Sequence, residues 1–251
     1  MNLETKIKNK YLFKNDNFFK KIYIFLNRFF SLNKSYKKSY SQGGMDLILH
    51  NIFKNKKKGF YVDVGCQHPI KNNNTFLLHK RGWTGINIDL DKFSIDLFNY
   101  NRPKDININA AISDKEEIVD LYFYHHKSPI NTLNKNVTLF QKSKIESIKK
   151  IKTLSLNKIL LDVKCKQIDL LTIDVEGNEY KVLKNFNFTK YNPKIVVVEY
   201  LDLNVKKWEI TYNDFNNVKK SKIYSLMIKN KYNFVNWVNG DLVFVKNKIK
   251  F

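Results

Sequence analysis

Two cysteines in 251 residues, Cys66 and Cys165, are too few and too far apart to staple a domain of this size. Neither belongs to a CxxC pair, which removes disulfide scaffolds and thiolate metal sites from consideration; a reducing cytoplasm is the simpler setting. Cys66, beside a glycine turn, is read as a packing residue. No stretch reaches the roughly 18 apolar residues of a membrane span. "IYIFL" is too short an apolar core for a signal peptide, and no small-residue cleavage site follows it. Acids are scarce as well: 23 Asp and Glu against 45 Lys and Arg leave a net charge of +22. That excess would suit a polyanion partner, yet no RNA-binding signature, zinc knuckle or ligand-spaced Cys/His set accompanies it. Lys, Asn and Ile are abundant together along the whole chain. The excess is therefore read as compositional drift, and no specific nucleic-acid partner is expected.

What is present is material for a core, with 43% hydrophobic and 14% aromatic residues, in a length that suits one large α/β domain with a small appendage. Residues 1–40 stand apart as a basic amphipathic helix and linker. In "FFKKIYIFLNRFF", Phe18, Ile22, Phe25 and Phe29 recur at helical spacing between lysines, and the basic "SLNKSYKKSY" follows. Two readings stay open for residues 18–30. The helix lies on an anionic membrane surface, which would make the protein peripheral to the inner face of the membrane. Otherwise its apolar face docks on the body of the protein or on a second copy.

From residue 41 to 251, strands alternate with helices. "GFYVDVG", "WTGINIDL", "DININAAIS", "IVDLYFYH", "QIDLLTIDVEG" and "PKIVVVEY" read as strands; "NNTFLLHKRGW", "DKFSIDLFNYN", "NEYKVLKNF" and a long segment over 214–230 read as helices. Residues 128–150 are polar and read as a loop or loop-helix, after which Ser155 is a candidate N-cap. "YNFVNWVNGDLVFVK" is a hairpin signal around Asn239-Gly240. The alternation predicts an α/β, Rossmann-like fold: a mostly parallel sheet with helices on both faces and a C-terminal antiparallel hairpin.

In such a sheet ligands bind beyond the carboxyl ends of the strands. Four ends carry polar groups: Asp63 with Gly65, Asp89, the Ala111-Ile112-Ser113 segment, and Asp174 with Glu176. Asp89, at the tip of the second strand, stands where a carboxylate receives the two hydroxyls of an adenosine ribose; the alternative is a cap for the next helix. The turn Gly65-Cys66-Gln67 lacks GxGxxG, so a pyrophosphate has no glycine bed. A nucleoside bearing an amino acid still fits, and Asp63 could orient the turn and face a cationic ammonium or sulfonium. S-adenosylmethionine answers that description.

The chain here resembles the FkbM-type methyltransferases. The resemblance covers about four-fifths of the chain from Ser41 onward. It is carried by "SQGGMDLIL", "FYVDVGCQHP", "NNTFLLHKRGWTGINIDLD", "NAAISD", "LLTIDVEGNEYKVL", "PKIVVVEY" and "GDLVFVK" in that order. It implies a class I, seven-stranded methyltransferase fold with S-adenosyl-L-methionine as cofactor, and methylation of hydroxyl groups, often on sugars or glycan precursors. By position it implies cofactor contacts at Asp63, Gly65, Asp89, Ala111, Ile112 and Gln42, and puts Asp174, Glu176 and Gly177 on the family's "DVEG" segment. Met45 departs from the family's early acid, while Ser41, Gln42 and Asp46 remain.

A sugar hydroxyl is a poor nucleophile until its proton is drawn off. Asp174 and Glu176, two residues apart at a strand end, are the leading pair for that task, unless they hold the turn and cap the next helix. His68 is a further candidate base, and Asn74 and Thr75 either cap their helix or reach the acceptor. A metal shared by Asp174, Glu176 and Glu199 would be oxygen-rich and suit magnesium or calcium. No ligand spacing requires one, and no metal site is assigned; His125-His126 is likewise assigned none. Two rivals remain at this level: a metal-dependent glycosyltransferase using "DLD" at Asp89–Asp91, and a non-enzymatic basic protein binding nucleic acid or membrane. The acceptor is expected to be a hydroxyl-bearing small molecule or glycan held by residues from 125–150 and 200–215.

Overall fold

The computed structural model describes residues 18, 20–26, 37–126, 128–202 and 214–247. The chain divides into two units, Met1–Lys38 and Ser39–Phe251. In the first, residues 18 and 20–26 are helical; the remainder of the helix expected over 18–30 lies outside the described residues. Among the described residues no helix is long and apolar enough to cross a membrane.

The second unit is built on a seven-stranded sheet. Its strands are β1 (Phe60–Val64), β2 (Thr84–Asp89), β3 (Ile106–Asn109), β7 (Leu170–Ile173), β8 (Ile195–Glu199), β9 (Tyr232–Val238) and β10 (Asp241–Lys246), in the order β3-β2-β1-β7-β8-β10-β9. The first five are parallel. The last strand, β10, runs antiparallel between β8 and β9. The buried runs arise because both faces are covered, so successive side chains find apolar partners on either side. Val62, Val64, Ile86, Ile173, Val196 and Val198 pack on one face, with Leu160, Leu183 and Met227 from the covering helices. Tyr61, Leu170, Ile195 and Val197 alternate to the other, against Met45, Leu49 and Trp83.

The helices are α1 (Met45–Ile52), α2 (Phe76–Lys80), α3 (Lys92–Asn101), α4 (Lys135–Thr138), α5 (Leu156–Asp162), α6 (Glu179–Lys184), α7 (Phe188–Tyr191), α8 (Phe215–Lys220) and α9 (Lys222–Lys229). Ser155 caps α5 as expected, accepting from Lys158 N at 3.2 Å. The β9–β10 hairpin turns at Asn239 (φ 49°) and Gly240 (φ 98°), two positive φ values that an Asn-Gly pair adopts at little cost.

Three expectations are corrected. "DININAAIS" is two strands: after β3 the chain leaves the main sheet at Ala110, whose N–H is held by Asp89 O, and enters β4 (Ala111–Ser113). Residues 147–155 are a strand, β6, rather than part of a loop; with β4 and β5 (Ile118–Phe123) it forms a small sheet of order β4-β6-β5. The long helix over 214–230 is α8 and α9, broken at Ser221, whose extended backbone (ψ 151°) lets its hydroxyl accept from Tyr224 N as the cap of α9.

Candidate active site

The carboxyl ends of β1, β2, β7 and β8 meet at one cleft, whose walls include Gln42, Gly65, Asp89, Ala111, Asp174 and Glu199. At its floor, Gly65 N bonds Ile88 O (2.8 Å) and Asp174 N bonds Val64 O (2.9 Å). Gly65 has φ +81°, and a Cβ there would lie 1.6 Å from the carbonyl oxygen of Asp174. The close approach of β7 therefore demands a glycine at this point.

Asp63 meets one half of its expectation, holding the turn, and not the other, facing the cleft. It is buried at the tip of β1 and is absent from the cleft wall. Its Oδ2 accepts from Asn73 Nδ2 (3.1 Å) and Thr75 Oγ1 (2.9 Å), and Asn73 Nδ2 also reaches Cys66 O. Behind them lies Arg102, fully buried at the end of α3. It donates to Asn73 Oδ1 (2.7 Å), Thr75 Oγ1 (2.8 Å), Tyr61 OH (3.3 Å) and Pro69 O, and its guanidinium sits over the rings of Phe98 and Phe76. Burial raises the Asp63 carboxyl above the ordinary range against the pull of Arg102 and the two hydrogen bonds. Asp63 thus orients the Gly65–Thr75 turn and does not face the cleft. Thr75 belongs to the same knot, so its reading as an acceptor contact is not kept.

Asp89 does line the cleft. Its Oδ2 accepts from Gln67 N (2.8 Å) and its Oδ1 from Asp91 N (2.7 Å). These bonds pin the two cofactor-side turns together. Each oxygen keeps a further lone pair, so the carboxylate can still receive hydroxyls. Burial raises its pKa to about 6, partly countered by the two backbone donors. Asp91 caps α3 and meets His126 Nδ1 at 3.0 Å. With both acids engaged by backbone donors, "DLD" is not arranged as a metal pair. Ala111, Ile112, Leu90 and Ile88 also line the cleft and give it apolar surface.

The other end of the cleft is acidic. Asp174, Glu176 and Glu199 each offer an oxygen atom within 4.8 Å of the others. Asp174 touches the solvent of the cleft yet is crowded by protein. Desolvation, then Glu176, Asp241 and Glu179, push it well above the carboxylate range, while a hydrogen bond with Glu199 opposes them. Burial and then Glu179 raise Glu176 to about 8. Glu199 is raised by burial and by Asp174; its Oε2 is enclosed and has no hydrogen-bond partner among the described residues. Such oxygens are of the kind hard divalent cations take, and protons shared among them relieve the same crowding.

Holding the turn, the alternative task for Asp174 and Glu176, falls to a residue the sequence did not single out. Glu179 Oε1 accepts from Val175 N (3.0 Å) and Gly177 N (2.9 Å). Glu176 itself has φ +56°, a conformation rare for a side-chain-bearing residue and often found at functional turns. Thr132 and Asn134 tie its neighbourhood to the loop before α4, through Glu176 O (2.6 Å) and Gly177 O (2.8 Å). Asp241 was equally unforeseen as a member of the acid group, since it comes from a distant strand. His68 is not brought to the cleft wall: its Nδ1 accepts from Ile70 N (3.0 Å) and Lys71 N (3.1 Å), so the ring shapes its own turn. Asn74 bonds Asp241 Oδ2 at 3.3 Å and lies away from the cleft wall. Asp46 accepts from Ser39 Oγ, Tyr40 N and Ser41 Oγ, and this knot carries Gln42 to the cleft.

A parallel sheet extended by an antiparallel seventh strand between the fifth and sixth in order of the main sheet, with a carboxylate at the second strand tip, is the class I methyltransferase architecture. The family model described as "Methyltransferase FkbM domain" matches residues 63–234, and the chain belongs to the FkbM methyltransferase family. No curated protein matches the sequence. Among solved structures, a TehB-like SAM-dependent methyltransferase from Corynebacterium glutamicum aligns over 89% of this chain and 96% of its own, at 12% identity and a TM-score of 0.40. That likeness is too loose to inform the site.

Family and fold imply S-adenosylmethionine, and the cleft fits it in kind. Asp89 offers acceptors for a ribose diol, Ile88, Leu90 and Ala111 an apolar edge for adenine, and the acids beyond Gly65 a negative end for a cationic group. Asp89→Ala should weaken S-adenosylhomocysteine binding by about 1.5–3 kcal/mol, the loss expected for hydrogen bonds to a charged group. Titration calorimetry on the folded variant decides it: parental affinity would remove Asp89 from the ribose.

Proposed function

We propose that this chain is an O-methyltransferase whose acceptor is a hydroxyl of a sugar or glycan precursor, with Asp174 or Glu176 drawing off the acceptor's proton. The observation that carries the reading is that the turn is held by Glu179, which leaves these two acids facing the cleft without a structural duty. When bound, S-adenosylmethionine supplies a methyl group on a sulfonium. The chain's own contribution is position and basicity. Gly65 and Asp89 fix one end of the cleft, so an acceptor oxygen held at the other end is aligned, and alignment alone contributes roughly 7 kcal/mol or more. Glu176, with a pKa of about 8, is closer to neutrality than an ordinary carboxylate, as suits a general base. A positive charge entering the cleft would lower that value and ionise the base where it is needed.

The test is transfer of a tritiated methyl group onto a panel of sugars, nucleotide-sugars and lipid-linked glycans. Label is expected in an ether linkage on a sugar hydroxyl. Label on nitrogen or carbon, or none on any sugar while S-adenosylhomocysteine still binds, would overturn the acceptor class and leave the methyltransferase family membership intact.

A further inference from the structure

A second cavity, about 590 Å³, shares a wall with the cleft: Asp174, Val175 and Glu176 line the cleft, while Gly177 and Glu179 line its neighbour. Its volume falls within the range of small-molecule sites. The other walls come from three helices and the segment after β8. Tyr180 stands on α6, Tyr200 and Asp202 follow β8, and Asn217 and Lys220 belong to α8, with Lys222 opening α9. The two tyrosine hydroxyls have no hydrogen-bond partner among the described residues. Tyr200 is held edge-on to Trp237, with ring centroids 6.1 Å apart, and Lys222 Nζ lies 5.6 Å from the centre of the Tyr180 ring. Asn217 Nδ2 donates to Asp202 Oδ2 at 2.8 Å, which sets an amide and a carboxylate side by side.

Each of these features answers one part of a single ligand chemistry. A sugar ring has apolar C–H faces that pack on aromatic side chains, and vicinal hydroxyls that need donors and acceptors placed together. Tyrosine walls beside an Asp–Asn pair supply both. The two lysines at one rim add a site for negative charge. We infer that this cavity holds the non-reacting part of the acceptor, a carbohydrate ring carrying an anionic group such as a phosphate. Tyr180 and Tyr200 pack against the ring, Asp202 and Asn217 meet its hydroxyls, and Lys220 and Lys222 meet the anion. The inference builds on the O-methylation reading and adds to it where the acceptor sits and what it carries.

Saturation-transfer NMR on the full chain with S-adenosylhomocysteine tests this with three probes: methyl α-glucopyranoside, glucose 1-phosphate and uridine monophosphate. Both sugar probes should bind, the phosphate more tightly. The double variant Tyr180→Ala, Tyr200→Ala should weaken both sugars about five- to tenfold, as expected for lost aromatic walls. Lys220→Ala with Lys222→Ala should weaken only glucose 1-phosphate, by about two- to fivefold. Cofactor affinity should hold in every variant, and Tyr200→Phe, which keeps the ring, covers the case in which the double variant does not fold. Binding of uridine monophosphate alone, displacement of glucose 1-phosphate by inorganic phosphate without dependence on the tyrosines, or unchanged affinities in the tyrosine variants would each overturn the assignment. Failure here is distinct from failure of the O-methylation reading: sugars that accept methyl with KM unchanged in the tyrosine variants would sink the cavity and spare the chemistry.

Discussion

Asp174→Asn and Glu176→Gln are expected to turn over about 10² to 10⁴ more slowly than the parent, the usual cost of losing a general base, while S-adenosylhomocysteine affinity changes far less. Both amides keep the shape of the side chain and lose its basicity. Each also takes an ionisable group out of a cluster whose charged forms burial and mutual repulsion disfavour, so neither variant should lose stability. A base acts in its ionised form, so the parent's kcat/KM for the acceptor should climb with pH along a limb set by Glu176. That limb should lie below the value of about 8 that holds without cofactor, because the bound sulfonium lowers it. That limb should vanish or move in Glu176→Gln. Near-parental turnover in both variants would place the base elsewhere. Loss of cofactor binding in both would make the pair cofactor-facing and remove it from proton transfer.

The largest effect on stability is expected at Arg102. Its guanidinium is fully buried and is the cation that opposes the burial of Asp63. It also carries the Pro69, Asn73 and Thr75 contacts that shape the cofactor-side turn. Removing one partner of a buried charge pair typically costs about 3–5 kcal/mol, because the other charge is left uncompensated. Arg102→Leu should therefore lower the unfolding free energy by that amount and weaken S-adenosylhomocysteine binding as the turn loosens. Arg102→Lys should recover little, since an ammonium lacks the planar fork that reaches four acceptors at once. Urea unfolding of the three proteins settles it: a loss below about 1 kcal/mol, the worth of a surface pair, would mean that the knot is not held by this charge.

Much of the fold was legible because its signals are local. "FYVDV", "GINID", "LLTI" and "IVVVE" are apolar runs that only a doubly covered sheet can bury, and Asn239-Gly240 announces the positive φ values of the last turn. The strand over 147–155 was hidden because Lys149, Lys150 and Lys152 are exposed on a small outer sheet, so its run carries no apolar alternation strong enough to see. The break at Ser221 was hidden because the apolar spacing carries on from α8 into α9, and only the serine cap divides them. At the site, Gly65, Asp89, Ala111 and Asp174 could be placed from strand tips alone. For Asp63 the orienting of its turn could be read, but not its partners Asn73, Thr75 and Arg102, which meet it only after the chain folds back. Glu199 could be named beside Asp174 and Glu176, as the structure has it. Asp241 could not, since strand order brings it there, and Glu179, only three residues past Glu176, was overlooked despite its local spacing.

The placement of β10 between β8 and β9 has a consequence for the chain as it is made. Until residues 241–246 leave the ribosome, Ile195–Glu199 is the bare margin of a parallel sheet, an apolar strand with unpaired N–H and C=O groups. Such a margin readily recruits strands from other molecules. Nascent chains shorter than this should be strong clients of holding chaperones, and stop codons placed just before Asp241 should yield insoluble protein, not merely inactive protein.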